Sequence, residues 1–210
     1  MDLICVDMDN TILDSDKPHI LAYNMTFRKN KLRQVSAKRL KKFFGLVSYE
    51  IIKKLFPKLK NKEIIKLVND NNMFFMKETK RFLKAFNGVK HTLIKLKKRY
   101  KLALISNCTH EEILASLKIA KIDLKIFDAL IGNDDVKKPK PFSDEIFKAG
   151  KILHSKIKWV IGDSIYDIRA GKRAKTKTIA VLTGNHTKNE LKKEKPDYIL
   201  RNFNQVLRIL

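Results

Sequence analysis

Residues 3–11 read Leu3-Ile4-Cys5-Val6-Asp7-Met8-Asp9-Asn10-Thr11. Four consecutive apolar residues bounded by acids form a short strand buried on both faces, and such strands belong inside a parallel sheet. The run ends in two carboxylates at i and i+2, which leave a strand on the same side, so Asp7 and Asp9 can address one ligand. Similar runs recur at 102–105 (LALI), 129–131 (ALI), 158–161 (KWVI) and 178–181 (TIAV). Helical patterns lie between them at 89–99, 110–118, 142–153 and 165–174. Alternation of two-faced strands with helices predicts an α/β fold, a doubly wound, mainly parallel, Rossmann-like sheet of five to six strands.

The stretch 16–86 interrupts that alternation. It offers no strand-like run. Ile64, Val68, Phe75, Phe82 and Phe86 share one face of a long helix after the turn-like segment 57–61, and amphipathic pieces fit 18–29, 36–43 and 48–56. The chain is therefore divided into an α/β core, 1–15 and 87–210, and an inserted all-helical cap subdomain, 16–86.

Charge is the most visible feature of the composition: 46 Lys+Arg against 22 Asp+Glu, a formal +24. Residues 16–88 hold 19 of the cations and 5 of the acids, so the insert is the more basic part. Of the cations, 37 are Lys and 9 are Arg. Base readout and bidentate phosphate clamping favour the guanidinium fork, so a Lys surface argues against nucleic acid as partner and reads first as a compositional bias, with attraction of a polyanion or of small anionic substrates as the alternative. The longest apolar runs fall far short of the roughly 20 residues of a membrane span. Asp2, Asp7 and Asp9 stand where a secretory leader needs a basic stretch and then an apolar one. Cys5 and Cys108 give no disulfide framework. The expectation is a cytoplasmic protein that engages no membrane.

In a doubly wound sheet, ligands sit outside the carboxyl ends of the strands. The segments that follow the candidate strands carry Asp7 and Asp9, then Ser106-Asn107, then Lys137-Lys138-Pro139-Lys140-Pro141, then Gly162-Asp163-Ser164-Ile165-Tyr166-Asp167. Up to four carboxylates, Asp7, Asp9, Asp163 and Asp167, would meet there, and their repulsion calls for shared protons or a cation. Mg²⁺ suits this set, since it takes few carboxylates, keeps waters and bridges to phosphate oxygens.

Asp7-x-Asp9-x-Thr11, Ser106, Lys138 before Pro139, and Gly162-Asp163-Ser164-x-x-Asp167 resemble the four motifs of the haloacid dehalogenase superfamily. The order and spacing are similar to the phosphoglycolate phosphatase-like branch, whose helical cap follows an Asp-Ser such as Asp14-Ser15. The resemblance implies a Mg²⁺-dependent phosphatase that hydrolyses a small, phosphoglycolate-like phosphate monoester through an aspartyl-phosphate. In it Asp7 is the nucleophile and Asp9 the acid/base, with Asp7, Asp9 (through its carbonyl) and Asp163 on the metal. Ser106 and Asn107 hold phosphoryl oxygens and Lys138 offsets charge, with Lys140 the competing lysine. Asp167 serves the metal site or Lys138, although its spacing from Ser164 is also that of a helix-capping box. Arg39, Lys41 and Lys42, beside Phe43-Phe44-Gly45, are candidate readers of the substrate's second charge. Two alternatives remain: a phosphomutase resembling β-phosphoglucomutase, which shares the core residues, and a basic nucleic-acid-binding protein on a lapsed phosphatase fold. The histidines show no ligand spacing, and Cys108 has no His partner in view.

Overall fold

The computed structural model describes residues 1–78 and 80–210. The chain begins with β1 (Leu3–Asp7) and β2 (Leu13–Asp14), followed by α1 (Asp16–Lys29), α2 (Ala37–Lys41), α3 (Ser48–Leu55) and α4 (Asn61–Glu78). It continues through β3 (Lys84–Ala85), α5 (Val89–Lys97), β4 (Lys101–Ile105), α6 (His110–Ile119), β5 (Ala129–Ile131) and α7 (Asp144–Ile152). The remainder is β6 (Ile157–Gly162), α8 (Ile165–Arg173), β7 (Lys177–Val181), α9 (Lys188–Lys193) and β8 (Tyr198–Leu200).

Six strands form one sheet in the order β5-β4-β1-β6-β7-β8, and all its pairs are parallel. The chain winds outward from β1 to β5 and then returns to β6 on the other side of β1. Strand order therefore reverses between β1 and β6, where a doubly wound sheet opens its ligand crevice. Alternate side chains of the strands feed two cores. Ile4, Val6, Leu104 and Ile161 pack with Leu93 of α5 and Ile113 and Leu117 of α6, whereas Leu3, Cys5, Ile105 and Val160 pack with Ile146 of α7 and Ala170 of α8. Each fully buried Leu, Ile or Val contributes about 1.5–3 kcal/mol, so a one-residue slip of β1 would be heavily penalised.

Helices α1 to α4 have a core of their own, in which Tyr23, Phe27, Leu40, Ile52, Ile64 and Leu67 are buried together. The chain leaves the sheet through β2 and returns through β3, and these short strands pair antiparallel, Leu13 with Ala85 and Asp14 with Lys84. A pair of two-residue strands is too short to show a period in sequence, and so it was not anticipated. The long helix is also shorter than its apolar spacing implied. It spans Asn61–Glu78 with Ile64, Leu67 and Phe75 buried, while Phe86 packs against the sheet core instead. No helix among the described residues is long and apolar enough to cross a membrane.

Candidate active site

Asp7, the last residue of β1, lies buried at the strand-order reversal. The chain turns sharply after it, with the amides of Ile12 and Leu13 both donating to the Met8 carbonyl and Asn10 in the left-handed region at φ 54°. Asn tolerates that conformation. The turn sends the Thr11 hydroxyl back to donate to Asp7 Oδ2 at 2.9 Å, with Asp163 Oδ1 also 3.3 Å away. Asp163 follows β6, the neighbouring strand, and Gly184 gives it room, since a Cβ at that position would lie 1.7 Å from Asp163 Oδ2. Asp167 sits in the first turn of α8. One carboxylate atom each from Asp7, Asp163 and Asp167 lies within 4.8 Å of the others.

The lysine that meets this trio is Lys140. Its ammonium donates to Asp7 Oδ1 at 2.6 Å and to Asp167 Oδ1 at 2.8 Å, and the whole residue is buried. Lys138, the residue expected there, is exposed, with its ammonium 5.5 Å from the Phe142 ring centroid. Both lysines precede a proline, and sequence alone did not show which one turns inward. Asp167 closes the capping box that its spacing allowed, with Oδ2 accepting from the Ser164 amide and hydroxyl, while Oδ1 accepts from Lys140 rather than Lys138.

Burial pushes Asp7 up to about 7, against the pull of Lys140, and Asp167 and Asp9 add to the rise. Asp163 is raised well above the carboxylate range by burial and by Asp7 and Asp167. Burial pulls Lys140 down, but Asp167 and Asp7 outweigh it and raise the ammonium well above its ordinary value. Near it lies Glu145 of α7, fully buried and within electrostatic reach of Lys140, Asp167 and Asp7. Burial raises Glu145 to about 8. An acid at a buried helix position was the available signal for this residue, and sequence reading passed over it.

Asp9 does not join the trio through its side chain. Its Oδ1 lies 3.1 Å from His19 Nε2, and its Oδ2 accepts from the Cys108 thiol at 3.1 Å. Burial opposes its charge, but the His19 partner prevails and lowers Asp9 to about 2. His19 is correspondingly raised, because the Asp9 carboxylate outweighs burial. Its ring stacks on Phe75 at 4.5 Å and meets Phe44 edge-on at 5.9 Å. Nothing in the spacing of the histidines marked His19, because the insert brings it over the strand ends only in three dimensions.

Ser106 and Asn107 line the same pocket after β4. The Ser106 oxygen accepts from the Cys108 amide at 3.1 Å. The Asn107 side chain donates to the carbonyls of Lys140 at 2.9 Å and of Gly45 at 2.6 Å, tying the strand-end loops to the cap. The cap's share of the wall is Tyr23, Phe44, Gly45, Leu46, Ser48 and Ile51, beside His19. Arg39, Lys41 and Lys42 are not part of it. Lys41 instead pairs with Asp16 at 2.5 Å, and Arg39 and Lys42 face solvent. Leu40 takes the inward position of α2, as an amphipathic helix dictates, so its neighbours point away.

The family model of the haloacid dehalogenase-like hydrolases matches residues 4–181. A protein of Caldanaerobacter subterraneus named "Putative pyrophosphatase PpaX" is 31% identical over 210 residues, 99% of this chain and 93% of the relative. Among solved structures, a haloacid dehalogenase-like hydrolase from Bacteroides fragilis superposes with a TM-score of 0.91 at 21% identity, over 97% of this chain and 98% of its own. A Haemophilus somnus protein described as a predicted phosphoglycolate phosphatase superposes at 0.84 and 21% identity, over 100% and 97%. With a sheet that reverses at β1/β6, acids at both strand ends, a buried lysine between them and an inserted helical cap, the chain belongs to the haloacid dehalogenase-like hydrolases.

Proposed function

We propose that this enzyme is a Mg²⁺-dependent phosphatase that transfers the phosphoryl group of a small phosphorylated compound to Asp7 and then to water. The observation that carries the reading is the convergence of Asp7, Asp163 and Asp167 around Lys140 at the strand-order reversal. Three buried carboxylates of which two are pushed upward lack enough positive charge, and an all-oxygen set is what a hard divalent cation takes. Asp7, Asp163 and the backbone carbonyl of Asp9 would hold it, with Asp167 fixing Lys140. When bound, the ion supplies Lewis acidity toward the phosphoryl oxygens and lets a carboxylate approach an anion.

An oxygen of Asp7 forms the new bond to phosphorus as the bond to the leaving oxygen breaks. Asp9, charged at rest, relays to the leaving oxygen the proton that His19 holds beside it and recovers one from the water that later attacks phosphorus, which frees inorganic phosphate and restores Asp7. His19 sets when Asp9 carries that proton. Ser106, the Asn107 amide and Lys140 receive the charge on the phosphoryl oxygens.

The pocket wall supports a compact substrate. Among the described residues, and outside His19, the cap contributes aromatic, aliphatic and hydroxyl groups to the wall and no Lys or Arg, so of these residues His19 is the one that meets the carboxylate of a phosphoglycolate-like compound. Inorganic pyrophosphate is the second reading, favoured by the PpaX relative. A phosphate-release screen with Mg²⁺ over phosphoglycolate, pyrophosphate, sugar phosphates and an aryl phosphate tests both. Release above background that vanishes in chelator is expected. Undiminished release in excess chelator removes the metal, and absence of release from every compound removes the phosphatase.

A further inference from the structure

The pocket contains a second cluster of metal-ligating atoms, different in kind from the acidic trio. Asp9 from the turn after β1, His19 from α1 and Cys108 from the loop after β4 each offer one atom, and these atoms lie within 4.8 Å of one another. The two closest contacts are Asp9 Oδ1 to His19 Nε2 and Asp9 Oδ2 to Cys108 Sγ, both 3.1 Å. In a tetrahedral zinc site, metal–ligand lengths of about 2.0–2.3 Å place neighbouring ligand atoms roughly 3.3–3.7 Å apart, so small rotations would open these contacts to that spacing. A thiolate, an imidazole and one carboxylate form a donor set for zinc-class ions, whereas Mg²⁺ avoids sulfur. Phe75 and Phe44 already fix the orientation of the His19 ring.

We propose that Asp9, His19 and Cys108 form an inhibitory site for a zinc-class divalent ion, with the fourth position open to the pocket. Binding exchanges the thiol proton of Cys108 and the Nε2 proton that His19 directs at Asp9 for the metal, and both protons leave to solvent. The contacts of Cys108 and His19 with Asp9 are lost in the exchange and replaced by three metal–ligand bonds. Two consequences follow from position. The ion takes the carboxylate that the reaction needs as acid and base. It also bridges the cap, through His19, to the core, through Cys108, and so holds the pocket shut. The inhibitory consequence rests on the phosphatase reading, whereas metal binding does not.

The full-length protein in saturating Mg²⁺ is titrated with Co²⁺ and, separately, with Zn²⁺. One equivalent of Co²⁺ should give a near-ultraviolet thiolate-to-cobalt band that is missing in Cys108→Ala and weakened in His19→Gln. Zn²⁺ should suppress phosphate release, and the Zn²⁺ concentration for half-suppression should rise at least about tenfold in Cys108→Ser, each protein compared with its own zinc-free rate. A wild-type protein without the thiolate band overturns the site, as does Cys108→Ala that binds Zn²⁺ as tightly as wild type. Inhibition that recedes in proportion to added Mg²⁺ overturns it too, because Zn²⁺ is then competing at Asp7, Asp163 and Asp167. If no phosphate compound is turned over, the band and its loss in Cys108→Ala still decide the metal site while the phosphatase reading falls.

Discussion

Two lysines separated by one proline differ completely in environment. Lys140 is enclosed between Asp7 and Asp167, and Lys138 projects over Phe142 into solvent. Removing a preorganised positive group from a dry site costs about 10²–10³ in kcat, so Lys140→Ala should lose at least that much while Lys138→Ala stays within about threefold of wild type. Steady-state kinetics of the two variants checks this, and comparable losses in both would refute the assignment. Asp7→Asn should abolish turnover and keep the fold, because it removes a nucleophile from among mutually repelling acids. A residual rate above about a tenth of wild type would exclude Asp7 as nucleophile. The acids were legible in sequence because a strand end fixes where i and i+2 point. The lysine was not, because a loop that contains two Lys-Pro pairs fixes no direction. His19 and Glu145 were missed for a related reason, since a cap residue and an acid on an otherwise apolar helix face acquire meaning only from what packs against them.

At the scale of elements, β1, β4, β5, β6 and β7 were readable as apolar runs and β2, β3 and β8 were not. β2 and β3 have too few residues for a period, and β8 pairs only with the end of β7. The helical insert was readable as a block, but its longest helix was overextended because apolar residues beyond Glu78 continue the spacing while serving a different core. The element that closes the pocket is the Phe44-Gly45-Leu46 passage between α2 and α3. Gly45 has φ +96°, its carbonyl accepts from Asn107, and a Cβ there would lie 2.8 Å from Tyr166 Cδ2 and 3.1 Å from Ser164 Cβ. A side chain in that backbone region costs about 1–2 kcal/mol, and the contact with α8 adds to it. Gly45→Ala should therefore shift the cap away from its closed position and raise KM about tenfold or more, with the melting temperature lowered by about 2–8 °C. An unchanged KM would show that this passage does not govern closure.

For the molecule as a whole, the buried acids make stability depend on pH in an uncommon direction. Glu145 is raised from 4.5 to about 8 and Asp7 from 3.8 to about 7, and Glu112 is raised as well. Between the unfolded and folded values the native state binds more protons than the unfolded chain, so stability falls as pH rises through that window. His19, also raised, acts in the same sense, losing its contribution as pH climbs through its folded value. The half-buried His186 is lowered and runs the other way. Acids held low, such as Asp9 at about 2 and the exposed Glu190, have delivered their stabilisation by pH 5 and add no slope above it. The metal-free protein should thus melt lower at pH 8 than at pH 5.5, by at least about 4 °C given 2–4 °C per kcal/mol for a domain of this size. On the proposed reading Mg²⁺ binds ionised Asp7 and Asp163 and not their protonated forms, so the melting temperature gained from saturating Mg²⁺ should be larger at pH 8 than at pH 5.5. Thermal melts at the two pH values, with Mg²⁺ and with chelator, measure all four numbers. In Glu145→Gln, which keeps the buried shape without the ionisable proton, the metal-free slope should shrink while the Mg²⁺ gain persists. A metal-free protein that grows more stable from pH 5.5 to 8 would show that these acids ionise freely in the fold, and that Lys140 alone balances them.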